Sequence, residues 1–216
     1  MDYVFNRNVL KNEVLLDKPI FVGASALDLS KLCMMDFHYN VIQKEFPDSY
    51  NLLYTDTDSL VYEIFIPDLY DWKRKNKNYF DLSDSLRPDL KDDTNKKVLG
   101  KFKDEINSLI IKEFISLNPK VYSINYLKYN EIINKKTLKG ISKTVVKNEI
   151  TYDNYVDVLE TNIPIKKDVV SIRSFSHQIY THKQNKVALT SYYDKMELQD
   201  PINCVPFGYK NQTRKK

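Results

Sequence analysis

Cysteine, histidine and glycine are all scarce in this chain of 216 residues, and each shortage excludes a class of site. Cys33 and Cys204 lack the spacing of a metal-binding motif, and the three histidines form no H-x-x-x-H pair. We therefore expect neither a zinc site nor a disulfide framework. Only four glycines are present, without a G-x-G-x-x-G or Walker-type string, which excludes a glycine-rich phosphate-binding loop.

Long apolar runs and a secretory signal are missing too. No stretch of about 18 residues is continuously apolar, and the start, Met1–Asn12, is polar and mixed in charge. We therefore expect an intracellular protein, in the cytoplasm or nucleus, with no membrane partner. The content of 42% hydrophobic and 29% charged residues is typical of a globular protein, and the net charge of +4 is too small to indicate a partner.

The most informative stretch is Tyr54-Thr55-Asp56-Thr57-Asp58-Ser59. Mostly apolar residues precede it from Asn51, and a run of alternating character follows it as far as Ile66, so the pattern over 50–66 predicts strand, tight turn, strand. Asp56 and Asp58 are two positions apart, and residues with that spacing share a face in extended backbone. The sequence therefore predicts two carboxylates that converge at the bend.

Two carboxylates held close together repel each other unless a cation lies between them. Hard oxygen ligands suit Mg²⁺ or Mn²⁺, so Asp58 and Asp56 are candidate metal ligands and catalytic residues. A plain polar turn is the alternative explanation, because Asp is a common turn residue. The flanking strands, with Tyr54 before the bend and Ser59 after it, favour the metal site.

The remaining segments predict further helices and strands. The pattern over 18–23 predicts a short strand, and Ser25 is a candidate N-cap for a largely buried helix over 25–46 with two apolar stripes. Residues 67–98 are expected to be irregular, 106–114 and 120–126 are rich in β-forming residues, and Thr151 is a candidate cap for a second helix. Alternation returns after Pro164. Five lysines lie between residues 131 and 147, which is typical of a solvated face or of a nucleic-acid contact: Lys135, Lys136, Lys139, Lys143 and Lys147.

The string at 54–59 resembles the third palm motif of family B DNA polymerases, in which Tyr54, Thr57 and Ser59 support the two aspartates. The run from Lys18 to Asn40 is similar to the palm helix before that motif, and the likeness is closest in the viral and mobile-element, protein-primed-like branch. Lys120-x-Tyr122 resembles the Lys-x-Tyr motif beside the primer terminus, and Lys139-Gly140-Ile141 the basic segment beyond it. The resemblance covers residues 18–210.

The resemblance implies an α+β fold, with a partial palm made of an antiparallel sheet and a packed helix, followed by a small thumb. The palm would span residues 1–148 and the thumb 149–216. It further implies two-metal nucleotidyl transfer with Mg²⁺ or Mn²⁺, dNTP and primer–template DNA as partners, and a virion-associated location as a further possibility. The residues expected at the primer and its duplex are Lys120, Tyr122, Lys135, Lys136, Lys139 and Lys143.

The first palm motif, the fingers motif and the exonuclease signature of that family are missing. We therefore expect a C-terminal fragment that needs the N-terminal polymerase portion as a partner and does not extend a primer alone. Two alternatives stay open. The first alternative to the polymerase fragment is a non-catalytic nucleic-acid-binding remnant of such a polymerase. The second is a metal-dependent glycosyltransferase whose Asp-x-Asp binds a nucleotide sugar.

Overall fold

A computed structural model describes residues 18–193, 195–199, 204–206 and 209. The chain divides into two compact units. The first contains the described residues up to 112 together with 126–133 and 174–179, and the second contains 113–125, 134–173 and the described residues from 180 onward.

The first unit begins with a long helical segment, which a β-hairpin and a loop-rich segment follow. Its elements are α1 (Ile20–Asp36), a π-helical segment (Phe37–Ile42), α2 (Gln43–Glu45), β1 (Tyr50–Asp56), β2 (Ser59–Ile64), α3 (Leu69–Lys75), a 3₁₀ turn (Lys77–Tyr79), β3 (Phe80–Asp81) and β4 (Phe102–Lys103). Strands β1 and β2 pair antiparallel, and the short strands β3 and β4 pair parallel.

The start of the long helix differs from the prediction. The predicted strand at 18–23 is wrong, because α1 begins at Ile20 directly after Pro19, and Ser25 lies inside the helix instead of capping it. The proline ring fixes the φ of Pro19 at −70°, a value that a helix accepts at its start. The strong helix formers from Ala24 onward then outweigh the β preference of the first residues.

Burial along this helix is uneven, and the prediction of a mostly buried helix is wrong for its first half. The π-helical segment packs into a core cluster against the hairpin, and its members are Phe37, Val41, Ile42, Phe46, Phe80 and Leu82. Ile20, Phe21 and Leu27, by contrast, expose 77%, 73% and 64% of their surfaces. Apolar spacing reports which residues share a face but not how far along the helix another element covers that face.

The loop-rich segment after the hairpin is held by polar groups. Asp68 caps α3 by accepting from the backbone amides of Tyr70 and Asp71, at 2.9 and 3.0 Å. The buried Lys73 ammonium lies 2.7 Å from the carboxylate of Asp104. The carboxylate of Asp81 is buried as well and accepts from two backbone amides. The expected irregular stretch is therefore ordered through side-chain to backbone contacts.

The second unit combines a three-stranded sheet, two helices and a long hairpin. Its sheet has the order β5 (Ile110–Asn118), β6 (Val121–Lys128), β7 (Glu131–Leu138). The other elements are α4 (Lys143–Glu149), α5 (Tyr152–Thr161), β8 (Ile165–Phe175), β9 (Gln178–Leu189), β10 (Met196–Leu198) and β11 (Cys204–Pro206). The protein is thus α+β, as the sequence predicts.

Helix α5 begins where the sequence predicts. Thr151 and Asn154 form a reciprocal capping box, in which the Thr151 hydroxyl accepts from the Asn154 amide and the Asn154 side chain accepts from the Thr151 amide. The helix buries Tyr155 and Val158 completely in the core of the second unit. That core takes residues from both sides of position 148, and the division into palm and thumb at that position stays a prediction.

Candidate metal and nucleic-acid site

The Asp-Thr-Asp stretch forms a two-residue hairpin turn. Asp56, the last residue of β1, pairs with Ser59, the first residue of β2, and Thr57 and Asp58 make the turn between them. This confirms the strand–turn–strand prediction. The period-two rule does not apply to Asp58, because Asp58 lies in the turn and not in extended backbone. A short hydrogen bond of 2.6 Å from the Asp58 amide to the Asp56 carbonyl links the two backbones, and the convergence of the two carboxylates stays a prediction.

The turn holds a β-branched residue in left-handed backbone. Thr57 has a φ of 51°, a region in which Val, Ile and Thr are outliers. The bond from the Asp58 amide to the Asp56 carbonyl closes a three-residue γ-type turn around it, and such turns are rare. Left-handed backbone at a non-glycine residue costs on the order of 1–3 kcal/mol and is concentrated at functional sites.

Side-chain hydrogen bonds fix the orientation of Asp56. The Thr57 hydroxyl donates to one carboxylate oxygen of Asp56 at 3.1 Å, and the Ser59 hydroxyl donates to its backbone carbonyl at 3.2 Å. Thr55 pairs with Leu60, and Leu60 packs on the core, so the next pair, Asp56 and Ser59, lies on the opposite face of the hairpin. The carboxylate of Asp56 is half-buried on that outer face, and Asp58 is exposed at the tip.

The opposite, core-facing side of the hairpin is anchored on the π-helical segment by aromatic rings. The His38 ring lies 2.9 Å from the Tyr62 hydroxyl and stacks almost parallel to the Tyr62 ring. Tyr50 contacts both rings edge-on. Burial raises the pKa of Tyr62 above its usual value, and Tyr50 adds to that rise. Through these contacts His38 supports the strands that carry the aspartates.

The pair of aspartates is an incomplete ligand set for a divalent ion. Over the described ranges of the chain, no three or more His, Cys, Asp or Glu side chains are grouped so that they could hold a metal. A Mg²⁺ ion needs six oxygen ligands in near-octahedral geometry but often takes only one or two from protein carboxylates. Asp56 and Asp58 fit such a partial role, and the rest of the shell would have to come from water, from a nucleotide or from another protein segment.

The five lysines between residues 131 and 147 do not form one continuous basic surface. Lys135 and Lys136 are adjacent on β7, so their side chains lie on opposite faces of the sheet. The Lys136 ammonium donates to the Ile150 carbonyl and, at 3.3 Å, to the Lys147 carbonyl, and burial lowers its pKa. Lys136 therefore stabilises the C-terminal end of α4 and has its donors directed at backbone.

Three other basic residues gather at one end of the sheet. Strands β6 and β7 are joined by a two-residue turn at 129–130, so they run antiparallel, and the start of β6 lies beside the end of β7. Lys120 precedes β6, Lys139 follows β7, and Lys143 opens α4 shortly afterwards. All three are exposed. The two-residue spacing predicts that Lys120 and Tyr122 share a strand face, and this is wrong, because Lys120 lies in the turn with a φ of 64°.

Tyr122 lies inside strand β6 and is half-buried, with its ring centroid 5.9 Å from that of Phe114. It belongs to the second unit with the lysines, whereas the aspartate turn belongs to the first. The structure thus brings together Asp56, Thr57, Asp58 and Ser59, and separately Lys120, Lys139 and Lys143.

The sequence interpretation missed a polar network across the three-stranded sheet. The Asn134 amide donates to the Ser123 hydroxyl at 2.7 Å and to the Asn125 side-chain oxygen at 2.9 Å. The Asn125 amide in turn donates to the Glu113 carboxylate at 2.7 Å. Because these bonds link β5, β6 and β7, they fix the strand register and with it the positions of the lysines at the sheet end. Polar residues at alternate positions, as at 123 and 125, are the signal that could have revealed it.

No protein-family model matches the chain, and no curated protein and no solved structure matches it either. None of the helices in the described part of the chain is long and apolar enough to cross a membrane.

Proposed function

We propose that the chain is the C-terminal palm and thumb portion of a family B DNA polymerase, which takes part in template-directed nucleotidyl transfer. The observation that carries the proposal is the folded form of the string Tyr54–Ser59. It makes a tight hairpin turn in which one aspartate ends a strand on an outer face and the other is exposed at the tip. Thr57 lies in left-handed backbone and donates to the Asp56 carboxylate, and an ordinary solvated turn requires neither feature.

In this proposal Asp58 is the principal metal ligand and Asp56 shapes the charge around it. A bound Mg²⁺ or Mn²⁺ would neutralise the triphosphate of the incoming dNTP and activate the primer hydroxyl. Thr57 holds the Asp56 carboxylate in one orientation, and the turn fixes Asp58 relative to it. Such positioning is what phosphoryl transfer requires of the protein, because catalysis there is mainly alignment and charge stabilisation.

Lys120, Lys139 and Lys143 supply the proposed contact with the DNA backbone. These three exposed residues lie at one sheet end, where lysine side chains are able to contact successive phosphates without reading sequence. Tyr122 is proposed to donate to a sugar or phosphate oxygen from the adjacent strand. Lys136 has a structural role instead. Because Asn134 pairs with Asn125 across the sheet, Lys135 lies opposite Ile124 and shares the sheet face of Tyr122.

A metal titration tests the aspartate turn directly. We expect Mn²⁺ to broaden the amide resonances of residues 55–59 selectively in the wild type and much less in Asp58→Asn. The matched control is Asp157→Asn, an identical change at an exposed aspartate of α5. Equal broadening in wild type and Asp58→Asn would contradict the assignment.

A ligand comparison separates the polymerase from the glycosyltransferase alternative. We expect a primed DNA duplex with Mn²⁺ to raise the melting temperature, and a UDP-sugar with Mn²⁺ to leave it unchanged. The opposite result would favour the nucleotide-sugar enzyme.

A second candidate function is a non-catalytic nucleic-acid-binding remnant. The observation that favours it is the lack of a third carboxylate near Asp56 and Asp58 within the described residues. If the chain binds primed DNA but the aspartate turn binds no Mn²⁺, the remnant is the better description.

A further inference from the structure

Helix α1 presents an apolar surface that no described part of the chain covers. Among its 17 residues the charged ones are Asp28, Lys31 and Asp36. The large apolar side chains on it are exposed to solvent, with Ile20, Phe21, Leu27, Leu29, Leu32 and Met35 between 43% and 77% exposed. Soluble monomers rarely present so continuous an apolar surface, so another surface is expected to pack on it.

One face of the helix is complementary to a copy of itself. Consider two copies of α1 that cross antiparallel, related by a two-fold axis between Leu29 and Ser30. Each residue then lies at the level of the residue that is equally far from the axis on the other side of it in the partner helix. Apolar side chains lie opposite apolar side chains, and an aspartate lies opposite a lysine. The facing positions are Ile20 and Tyr39, Ala24 and Met35, Leu27 and Leu32, and Asp28 and Lys31.

The charged residues on this face specify the partner. Asp28 and Lys31 are both exposed, and neither has an ion-pair partner among the residues that the structure describes. In the antiparallel arrangement Asp28 of each copy meets Lys31 of the other, so two ion pairs form by symmetry. A second copy of this chain necessarily presents a lysine opposite Asp28 and an aspartate opposite Lys31, and it is therefore the partner that we infer.

The area is sufficient for a reversible dimer. Five large apolar side chains lie on this face, including Tyr39 of the following π-helical segment at 53% exposure. At roughly 100 Å² each, they would bury about 500 Å² per copy, which lies at the low end of specific interfaces. We propose that the chain forms an isologous homodimer through antiparallel α1 helices, held by apolar packing and two Asp28–Lys31 ion pairs. This proposal is independent of the polymerase function.

The test is a charge swap in the full chain, followed by light scattering across the micromolar range. We expect the wild type to show twice the mass of one chain at the upper concentrations. Asp28→Lys places like charges opposite each other twice and should weaken the dimer at least about tenfold. Lys31→Asp should do the same, and the double variant Asp28→Lys/Lys31→Asp should restore dimerisation, because the pairs form again with reversed sign.

Two further variants separate dimerisation from folding. Leu32→Glu introduces a charge into the apolar contact and should yield monomer, whereas Val22→Glu, at an equally apolar and exposed position on the opposite side of the helix, should leave the dimer intact. Circular dichroism checks that each variant is folded. A wild type that stays monomeric throughout, or a double variant that does not regain the dimer, would overturn the proposal and indicate that another polypeptide covers α1.

Discussion

Replacing Asp81 with Asn should lower the free energy of unfolding, because it weakens the contacts that hold the loop-rich segment of the first unit. The Asp81 carboxylate is only 7% exposed and lies where β3 ends. One oxygen accepts from the Ser83 amide at 3.0 Å, the other accepts from the Lys97 amide at 3.1 Å, and the Lys103 ammonium is 3.9 Å away. An asparagine offers one acceptor and one donor group, so one of the two backbone amides would face another donor.

The size of the effect follows from the pKa. Polar contact with Ser83, through its side chain and its backbone amide, and the hydrogen bond from the Lys97 amide hold the pKa of Asp81 at about 2, against an ordinary value of 3.8. A difference of nearly two pKa units corresponds to about 2 kcal/mol of stability from the ionised form. Because the folded pKa is the lower one, this contribution is present above pH 4 and is lost as the pH falls through the folded value.

The assay is urea denaturation followed by tryptophan fluorescence. Trp72 is the single tryptophan, and its ring contacts Phe46 and Phe80, the residue before Asp81. We expect Asp81→Asn to lower the free energy of unfolding by about 2 kcal/mol at pH 6 and by about half as much at pH 3. The difference between the two proteins should fall to about 0.4 kcal/mol at pH 2, because about half of the wild-type carboxyl is then protonated.

The matched control is Asp84→Asn. Asp84 pairs with the same lysine, Lys103, at 2.6 Å, but its side chain is 55% exposed. A solvent-exposed pair contributes little, so this variant should change the free energy of unfolding far less than Asp81→Asn does. The reasoning is refuted if Asp81→Asn costs no more than Asp84→Asn, or if its cost does not change with pH.

Four other outcomes are expected. Thr57→Gly should raise the free energy of unfolding by up to about 1 kcal/mol in urea denaturation, because glycine relieves the left-handed backbone at some entropic cost, and a loss of stability would contradict the strain. Thr151→Ala should lower it by about 1 kcal/mol in the same assay, through loss of the capping box, and an unchanged value would mean that packing alone fixes the start of α5. Replacing Lys139 and Lys143 with Ala should reduce the slope of log K for primed DNA against log salt by about 2, whereas an unchanged slope would make them an ordinary solvated surface. Primer extension should be absent for the chain alone and should appear when it is fused behind the palm–fingers segment of a family B polymerase, with Asp58→Ala abolishing it; extension by the chain alone would contradict this.

Local patterns in the sequence determined several elements. The apolar run before Asp56 and the alternation after Asp58 predict strand, turn, strand, because a helix would place the alternating polar and apolar residues on the same face. The start of α5 was equally predictable, since Thr151 followed by Asn154 satisfies the free amides of a first turn. These interactions join residues that are close in sequence, so they are predictable from the sequence alone.

Contacts between distant residues were decided by the tertiary structure alone. The sequence places Lys135 and Lys136 side by side but does not distinguish their roles. The Ile150 carbonyl, to which Lys136 donates, comes near Lys136 only because α4 packs on the sheet. The exposure of the first half of α1 likewise depends on which elements lie beside it, and apolar spacing contains no information on that. The candidate site was therefore predictable where neighbouring residues build it, at the aspartate turn. It was not predictable at the lysines, whose partners and faces depend on strand register and helix packing.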